Sequence, residues 1–456
     1  MDTPADNHAS RLSASQILRM RKVWLVPLVL ASLLISIVGV IYIGSVINPT
    51  GHLHDLPVML VNQDTGATVN GKPINIGADL ANALEQSPKV TSRLKLMPAT
   101  VQQAEAKMNR GAAYATLVIP ATLTRSTLLT TGAAVPSGIS TPPASATVTL
   151  EENQRLGSLG VNLAAGVIAP AVAQISQQIG TKLTPLATPA ARSNPVLAGR
   201  LADPVTLTTA SYRPLPDHSA LGLSAFYIAL LALLSGFIAG TLINNSIDGA
   251  LGYASSEIGP RWKHARPISI SRRQTFLTKW AVAAAAAPLL TGLLLLIAVG
   301  GLGMYAPHVL LLWGLCALGS LMIATGTLAL LAAFGSIGQL LAMILLIYLS
   351  LASSGGTVPI QALPGALKVV GNVEPLRQVL GGTRAILYFG ARGDAGLTHA
   401  LVVVAGEIVF WAIIGLGVTE WYDRRRLDRI SADDLALVDR AIDEAIESRS
   451  ATASHE

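Results

Sequence analysis

Along most of this chain the apolar residues do not alternate with polar ones; they run together in long blocks. Six blocks meet the demand of a bilayer, which a helix of roughly 20 apolar residues crosses and inside which every backbone group must bond within its own helix. They run from about Trp24 to Ile47, Leu221 to Ile243, Lys279 to Leu302, Val309 to Ala332, Ile337 to Ser354 and Leu397 to Thr419. Gly300, Gly301, Gly303 and Pro307 predict a tight turn between the third and fourth blocks, and Gly335 and Gly338 another between the fourth and fifth. The first block is too long for a signal peptide and lacks a small-x-small cleavage site, so it reads as an uncleaved anchor.

Residues 48–220 break the pattern and are the one segment long enough for a water-soluble core of its own. Leu56 to Val61 reads as a strand ended by the turn residues Asn62-Gln63-Asp64-Thr65-Gly66. Helices are predicted over 77–86, with Leu80, Ala83 and Leu84 on one face, and over 100–110. Strands over 114–119 and 146–150 follow, the last closing an α/β unit. The Gly, Ser, Thr and Pro of 130–144 suit a surface loop. Residues 158–183, rich in Ala, Gly, Ile and Gln, predict a helix that packs on a partner or returns toward the membrane.

Charge orients the blocks. Cytoplasmic loops carry an excess of Lys and Arg, and alternate loops here agree. Arg11, Arg19, Arg21 and Lys22 precede the first block; Arg261, Lys263, Arg266, Arg272, Arg273 and Lys279 follow the second; Arg424, Arg425, Arg426 and Arg429 follow the sixth. Both termini are therefore expected in the cytoplasm and 48–220 outside. The segment Gly355 to His399 also carries Lys368, Arg377, Arg384 and Arg392 yet falls outside, and its semi-apolar character predicts short re-entrant or interfacial helices. The expected fold class is thus a polytopic α-helical membrane protein: six transmembrane helices with an extracytoplasmic α/β domain between the first and second. Its divisions are a cytoplasmic N-terminus (1–23), the first span (24–47), the outer domain (48–220), a five-helix region (221–419) with a cytoplasmic coupling loop (244–278) and an outer re-entrant loop (355–396), and a cytoplasmic tail (420–456). In the tail, Ser431-Ala432-Asp433-Asp434 predicts the start of a helix through about Ser448, with Leu435, Val438, Ile442 and Ile446 as its apolar stripe. That stripe suits a partner, a membrane surface or a partly helical solvated tail equally.

Composition agrees: 51% of residues are hydrophobic and 13% charged, against roughly a quarter charged in soluble proteins. The single Cys316 excludes an intrachain disulfide or a cysteine-based metal cluster. The net charge of +6 is concentrated beside the apolar blocks without interleaved aromatics, which favours lipid headgroups over nucleic acid. Ala-rich, Arg-favouring usage suits a bacterium with GC-rich DNA, and the expected location is the bacterial cell (inner or cytoplasmic) membrane.

No Gly-x-x-x-x-Gly-Lys-Ser/Thr loop occurs, so ATP-driven work needs a separate ATPase. His52-x-His54-Asp55 has metal-ligating side chains but no second ligand cluster, and is read as solvated loop; no metal or other cofactor is expected. Asp217-His218 has no serine in a nucleophile elbow. Glu407 lies inside the sixth block, where a carboxylate is costly and marks a functional position by default. It suits a cargo or proton path; a hydrogen bond to a neighbouring helix or a silent protonated carboxyl is the alternative. Gln339, nearer a block end, is a weaker candidate for the same path. Arg261, Lys263, Arg266, Arg272 and Arg273 suit an acidic groove on an ATPase, or equally a topology signal that holds anionic lipid. Gly355 and Gly356 with Pro359 allow a sharp turn at the membrane edge. An intramembrane enzyme would need converging acid, base or metal ligands, and Glu407 stands by itself in the sequence.

Three stretches carry a family resemblance: Leu56-Pro57-Val58-Met59-Leu60-Val61-Asn62-Gln63-Asp64-Thr65-Gly66-Ala67, then Tyr114-Ala115-Thr116-Leu117-Val118-Ile119-Pro120, and Ser353-Ser354-Gly355-Gly356-Thr357-Val358-Pro359 with Leu363-Pro364 and Glu374-Pro375-Leu376. With the order of blocks, they make the chain similar to ATP-binding-cassette type-2 permeases, and more closely to the YhgE/Pip (phage infection protein-like) group. The resemblance implies a homodimeric or pseudo-dimeric export permease that moves an amphipathic or hydrophobic substrate outward, with the segment Ser255 to Thr278 facing a separate ABC ATPase. The competing class is a non-transporting scaffold or receptor in envelope assembly, secretion or phage adsorption.

Overall fold

The structure, a computed structural model, describes residues 14–427 apart from 70, 133–145, 259–260 and 264–265, together with 429 and 440. Apart from Arg440, the helix expected over 431–448 lies outside the described residues, as does most of the expected loop at 130–144.

Helix α1 (Arg21–Val46) leads into a domain built on a five-stranded sheet of order β4-β1-β5-β6-β7. Its strands are β1 (Leu56–Asn62), β4 (Leu94–Pro98), β5 (Ala115–Ile119), β6 (Ala146–Glu152) and β7 (Val205–Ser211); β2 (Ala67–Val69) and β3 (Lys72–Ile74) form a separate hairpin. Strand β1 runs parallel to both β4 and β5, β6 is antiparallel to β5, and β7 is parallel to β6. Both faces of β1 are buried, which accounts for its unbroken apolar run. Leu56, Val58 and Leu60 enter the main core, while Met59 and Val61 meet Ala104 and Met108 on the other side.

Three expected strands are present, but the sheet has five, so the small α/β unit is a correction. Strands β4 and β7 escape notice because they form the sheet's edges and carry Lys95 and a run of threonines rather than an apolar block. Helix α2 (Ile76–Gln86) buries Leu80 and Leu84 and is capped by the Asn75 side chain; each buried leucine contributes about 2 kcal/mol. Helix α3 (Val101–Asn109) starts with a capping box between Thr100 and Gln103. Helix α4 (Leu123–Leu129) had no counterpart in the sequence pattern.

Helix α5 (Ser158–Leu183) is long and apolar enough to cross a membrane, and with it the described residues hold seven such helices. Its residues Ile168, Val172, Ile175 and Ile179 belong to the same buried core as Leu56, Leu80 and Leu117 of the sheet domain.

The other helices form a bundle: α6 (Ser224–Ala250), α7 (Arg272–Gly301), α8 (Val309–Phe334), α9 (Ser336–Ser353) and α11 (Leu397–Arg424). Helices α6 and α7 reach beyond their apolar blocks by about two turns, so their connection narrows to 251–271, where β8 (Ser256–Ile258) and β9 (Arg261–Lys263) pair as a hairpin. Helix α8 is the most enclosed and touches α6, α7, α9 and α11. Gly335, at φ +60°, turns the chain from α8 into α9, a conformation that a side chain resists. Between α9 and α11 lie a short helix, Gly365–Val370, and α10 (Pro375–Tyr388), whose apolar face packs on α6, α8 and α11.

Candidate functional site

The segment 355–364 joins the two halves of the molecule. Val358, Ala362 and Leu363 are buried in the core of the sheet domain, and the His54 N–H donates to the Gln361 carbonyl at 3.0 Å. Gly356 packs so closely on the Phe226 ring of α6 that a Cβ there would strike it. Arg384 of α10 donates from Nη2 to the Gly356 carbonyl at 3.2 Å and, more weakly, to that of Gly355 at 3.5 Å. Burial raises the Tyr114 phenol above its ordinary pKa, with Arg384 pulling the other way, and burial lowers that of Arg384 itself. Arg384 thus ties α10 to the Gly355-Gly356 turn. Two more arginines of this loop have local partners: Arg377 donates to Asn372 at 2.9 Å, and Arg392 pairs with Asp394 at 2.9 Å.

Beside this junction is a cavity of about 400 Å³ between the sheet domain and the bundle. Arg155 and Arg213 come from the domain, Tyr305 and His308 from the α7–α8 turn, and Tyr388 and Arg392 from the end of α10.

Deeper in the bundle lie two carboxyls. Glu374 is 3% exposed, accepts from the Ser350 hydroxyl through Oε1, and caps α10 by accepting the Leu376 N–H through Oε2 at 3.2 Å. Glu407 of α11 is half-buried, and its Oε1 is enclosed with no hydrogen-bond partner among the described residues. Glu374 entered the sequence reading only within the family-like stretch Glu374-Pro375-Leu376 and not as a site residue; its signal was a lone acid directly before a helix-starting proline.

At the opposite end of the bundle a second cavity, of about 530 Å³, is lined by Asn244, Asp248, Tyr253, Arg272, Gln339 and Arg429 among others. Gln339 belongs to this mouth, so the structure does not bring it together with Glu407. Asp248 Oδ1 receives Lys279 and Arg429, each at 2.7 Å, and Lys279 also donates to Asn244 at 2.8 Å. Arg272 and Arg273 open α7, and their backbone N–H groups are capped by the Asp423 carboxylate of α11 at 2.9 and 3.0 Å. The Arg272 side chain donates to the Leu427 carbonyl and lies over the Tyr422 ring, and Arg273 pairs with Glu420 at 3.4 Å. Arg261 and Lys263 stand on β9 of the hairpin, and Arg266 follows it.

His54 Nδ1 lies 2.8 Å from the His52 carbonyl within its own loop, and among the described residues no three metal-ligating side chains gather.

No curated protein matches the chain. The family model described as ABC-2 family transporter protein matches residues 22–416, which takes in α1, the whole sheet domain and the bundle nearly to the end of α11. On that match the chain is a multi-pass membrane protein that belongs to the ABC-2 transporter family.

Proposed function

We propose that the chain is the permease subunit of an exporter, moving an amphipathic or hydrophobic substrate outward with energy from a separate ABC ATPase. The family match across 22–416 carries this reading. Six helices cross the membrane in it: α1, α6, α7, α8, α9 and α11. Helix α5 stays outside because the face it would offer to lipid or to neighbouring spans is spent on the sheet. The arginine-rich ends sit in the cytoplasm with both termini, the sheet domain sits outside the cell membrane, and two copies of the chain form the working unit. Glu407, enclosed and unpaired among the described residues, stands on the substrate path. The kinship with the YhgE/Pip group is the narrower part of the proposal and rests on the three stretches named above. Each has a task in this structure: a doubly buried strand with its turn, the strand beside it, and the turn that Arg384 clasps.

Contact with the ATPase is assigned to the β8–β9 hairpin. Arg272 and Arg273 are engaged with α11, so reversing their charge would disturb the bundle as well as any docking surface. The decisive experiment is affinity purification of the full chain from its native membrane, with R261E/K263E as the variant. An ABC ATPase should co-purify with the parent chain and be lost from the variant while the yield of folded protein holds. Recovery of no ATPase, together with undiminished function in cells lacking every candidate ATPase, would overturn the reading in favour of a scaffold.

A further inference from the structure

The cavity between the sheet domain and the bundle holds positive charge that nothing in it neutralises. Arg155 gives Nη1 to the Tyr388 carbonyl at 2.8 Å and Nη2 to the Pro214 carbonyl at 3.2 Å, so both partners are neutral, and its Nε has none among the described residues. Arg213 lies 5.7 Å from the centre of the Tyr212 ring and forms no ion pair with a described carboxylate. Arg155 and Arg213 line the same cavity; burial lowers the Arg155 pKa and the Arg213 charge lowers it further. Arg392 is the exception, since Asp394 accepts from it through both oxygens at 2.9 Å. No aspartate or glutamate lines the cavity; the Tyr305 hydroxyl and the His308 ring add groups able to donate hydrogen bonds, whereas the Tyr388 hydroxyl is taken up by Ser224 and the Ser219 carbonyl. Two cations that line one cavity, Arg155 half-buried and Arg213 exposed at its rim, are stabilised by an anion bound between them.

We propose that this cavity is a binding site for a phosphate group carried at the outer membrane surface, with Arg155 and Arg213 as its principal ligands. Guanidinium forks match the geometry of a phosphate, which has enough acceptor oxygens for both. The volume of about 400 Å³ falls in the range of small-molecule sites and suits a headgroup rather than a whole lipid. Met108, Pro307, Leu387 and Phe389 supply apolar wall beside the cations, as an amphipathic ligand requires. The site stands on the fold of this chain and needs no ATPase; only its assignment to the outer surface rests on the topology proposed above.

The test is equilibrium binding to the full chain purified in a non-ionic detergent, titrated with fluorescent phosphatidylglycerol and, in parallel, with the corresponding diacylglycerol. Saturable binding of the phospholipid is expected, with none of diacylglycerol. R213Q should weaken it about tenfold, the worth of one charge-assisted hydrogen bond, and R213K should restore part of the loss. K72Q, which removes an exposed charge elsewhere on the same domain, should change nothing. Arg213 is exposed and supports no other described side chain by hydrogen bond, so R213Q folds as the parent does. Competition by millimolar inorganic phosphate would show that the phosphate alone is recognised; failure to compete would show that the lipid-borne form is. Equal phospholipid binding by R213Q and the parent chain, or equal binding of diacylglycerol, would overturn the proposal, as would the absence of saturable binding by both phospholipid and inorganic phosphate. None of these outcomes depends on whether an ATPase co-purifies.

Discussion

The Asp64 carboxylate fastens Thr124, 60 residues further along the chain, at two points: Oδ1 accepts its backbone N–H at 3.1 Å and Oδ2 accepts its hydroxyl. The same Oδ2 accepts the Gly77 N–H at 2.9 Å, so one side chain takes an open backbone N–H at the start of each of α2 and α4. Asn62 completes the knot by accepting the Asp64 N–H at 3.0 Å. Replacing Asp64 by alanine leaves enclosed donors without an acceptor, at about 1–3 kcal/mol for each that water cannot reach. D64A should therefore lower the thermal midpoint of the full chain by several degrees, with D64N intermediate because it keeps one acceptor oxygen. An unchanged midpoint in D64A would show that the knot is incidental to the domain.

Arg384 makes a second such prediction, at the joint between the domain and the bundle. Its Nη2 is the donor to the Gly355 and Gly356 carbonyls, and the turn they form carries Val358 into the sheet domain's core. R384M keeps an unbranched apolar stem and removes the guanidinium donors, which costs about 2 kcal/mol for buried carbonyls left unpaired. Loss should be local: amide hydrogen exchange over 355–364 should quicken while exchange in β1 and β5 holds. Exchange that quickens equally everywhere, or nowhere, would contradict the role given to Arg384.

These two residues mark where the sequence was readable and where it was not. Continuous apolar blocks place every helix of the bundle, because a backbone without water has one local solution and needs no distant partner. Strand β1 is legible for the same reason, being buried on both faces. Strands β4 and β7 are not, since each is an edge strand whose pairing is supplied by a distant segment. Asp64 is visible as a turn residue, but its hold on Thr124 depends on β1 and β5 lying side by side. Helix α5 shows the limit of hydropathy itself, because an apolar helix covering a sheet and one crossing a bilayer need similar compositions. Of the candidate site, Glu407 could be found as a carboxylate in an apolar block. Arg384 read only as an awkward positive charge, and Arg155 and Arg213 gave no signal until the fold brought them to one cavity.

At the arginine-rich end of the bundle, Asp248 holds two cations, and the Lys279 side chain is 5% exposed. Removing the carboxylate strands a buried ammonium, which costs about 3 kcal/mol or more. D248A should lower the thermal midpoint sharply, whereas D248A/K279M should recover most of the loss because the stranded charge leaves with its partner. A double-mutant cycle measures this directly. Additive losses would show that the pair is not coupled, and would assign the stability of this end to Asn244 and the Arg429 contact with Tyr253.

Glu407 separates stability from function most clearly. Its Oε1 is enclosed without a partner among the described residues, so the group is kept at a cost of about 1–3 kcal/mol. If burial alone governed the position, an apolar residue would serve better, and E407L should raise the thermal midpoint rather than lower it. A carboxyl on the substrate path predicts the opposite for transport: efflux measured in cells or vesicles should fall at least tenfold in E407L, and E407Q should show whether charge or hydrogen bonding is needed. A more stable E407L with full efflux would remove Glu407 from the path. A less stable one would mean that the carboxyl bonds a neighbouring helix, a structural task that would account for its place in α11 without any part in moving substrate.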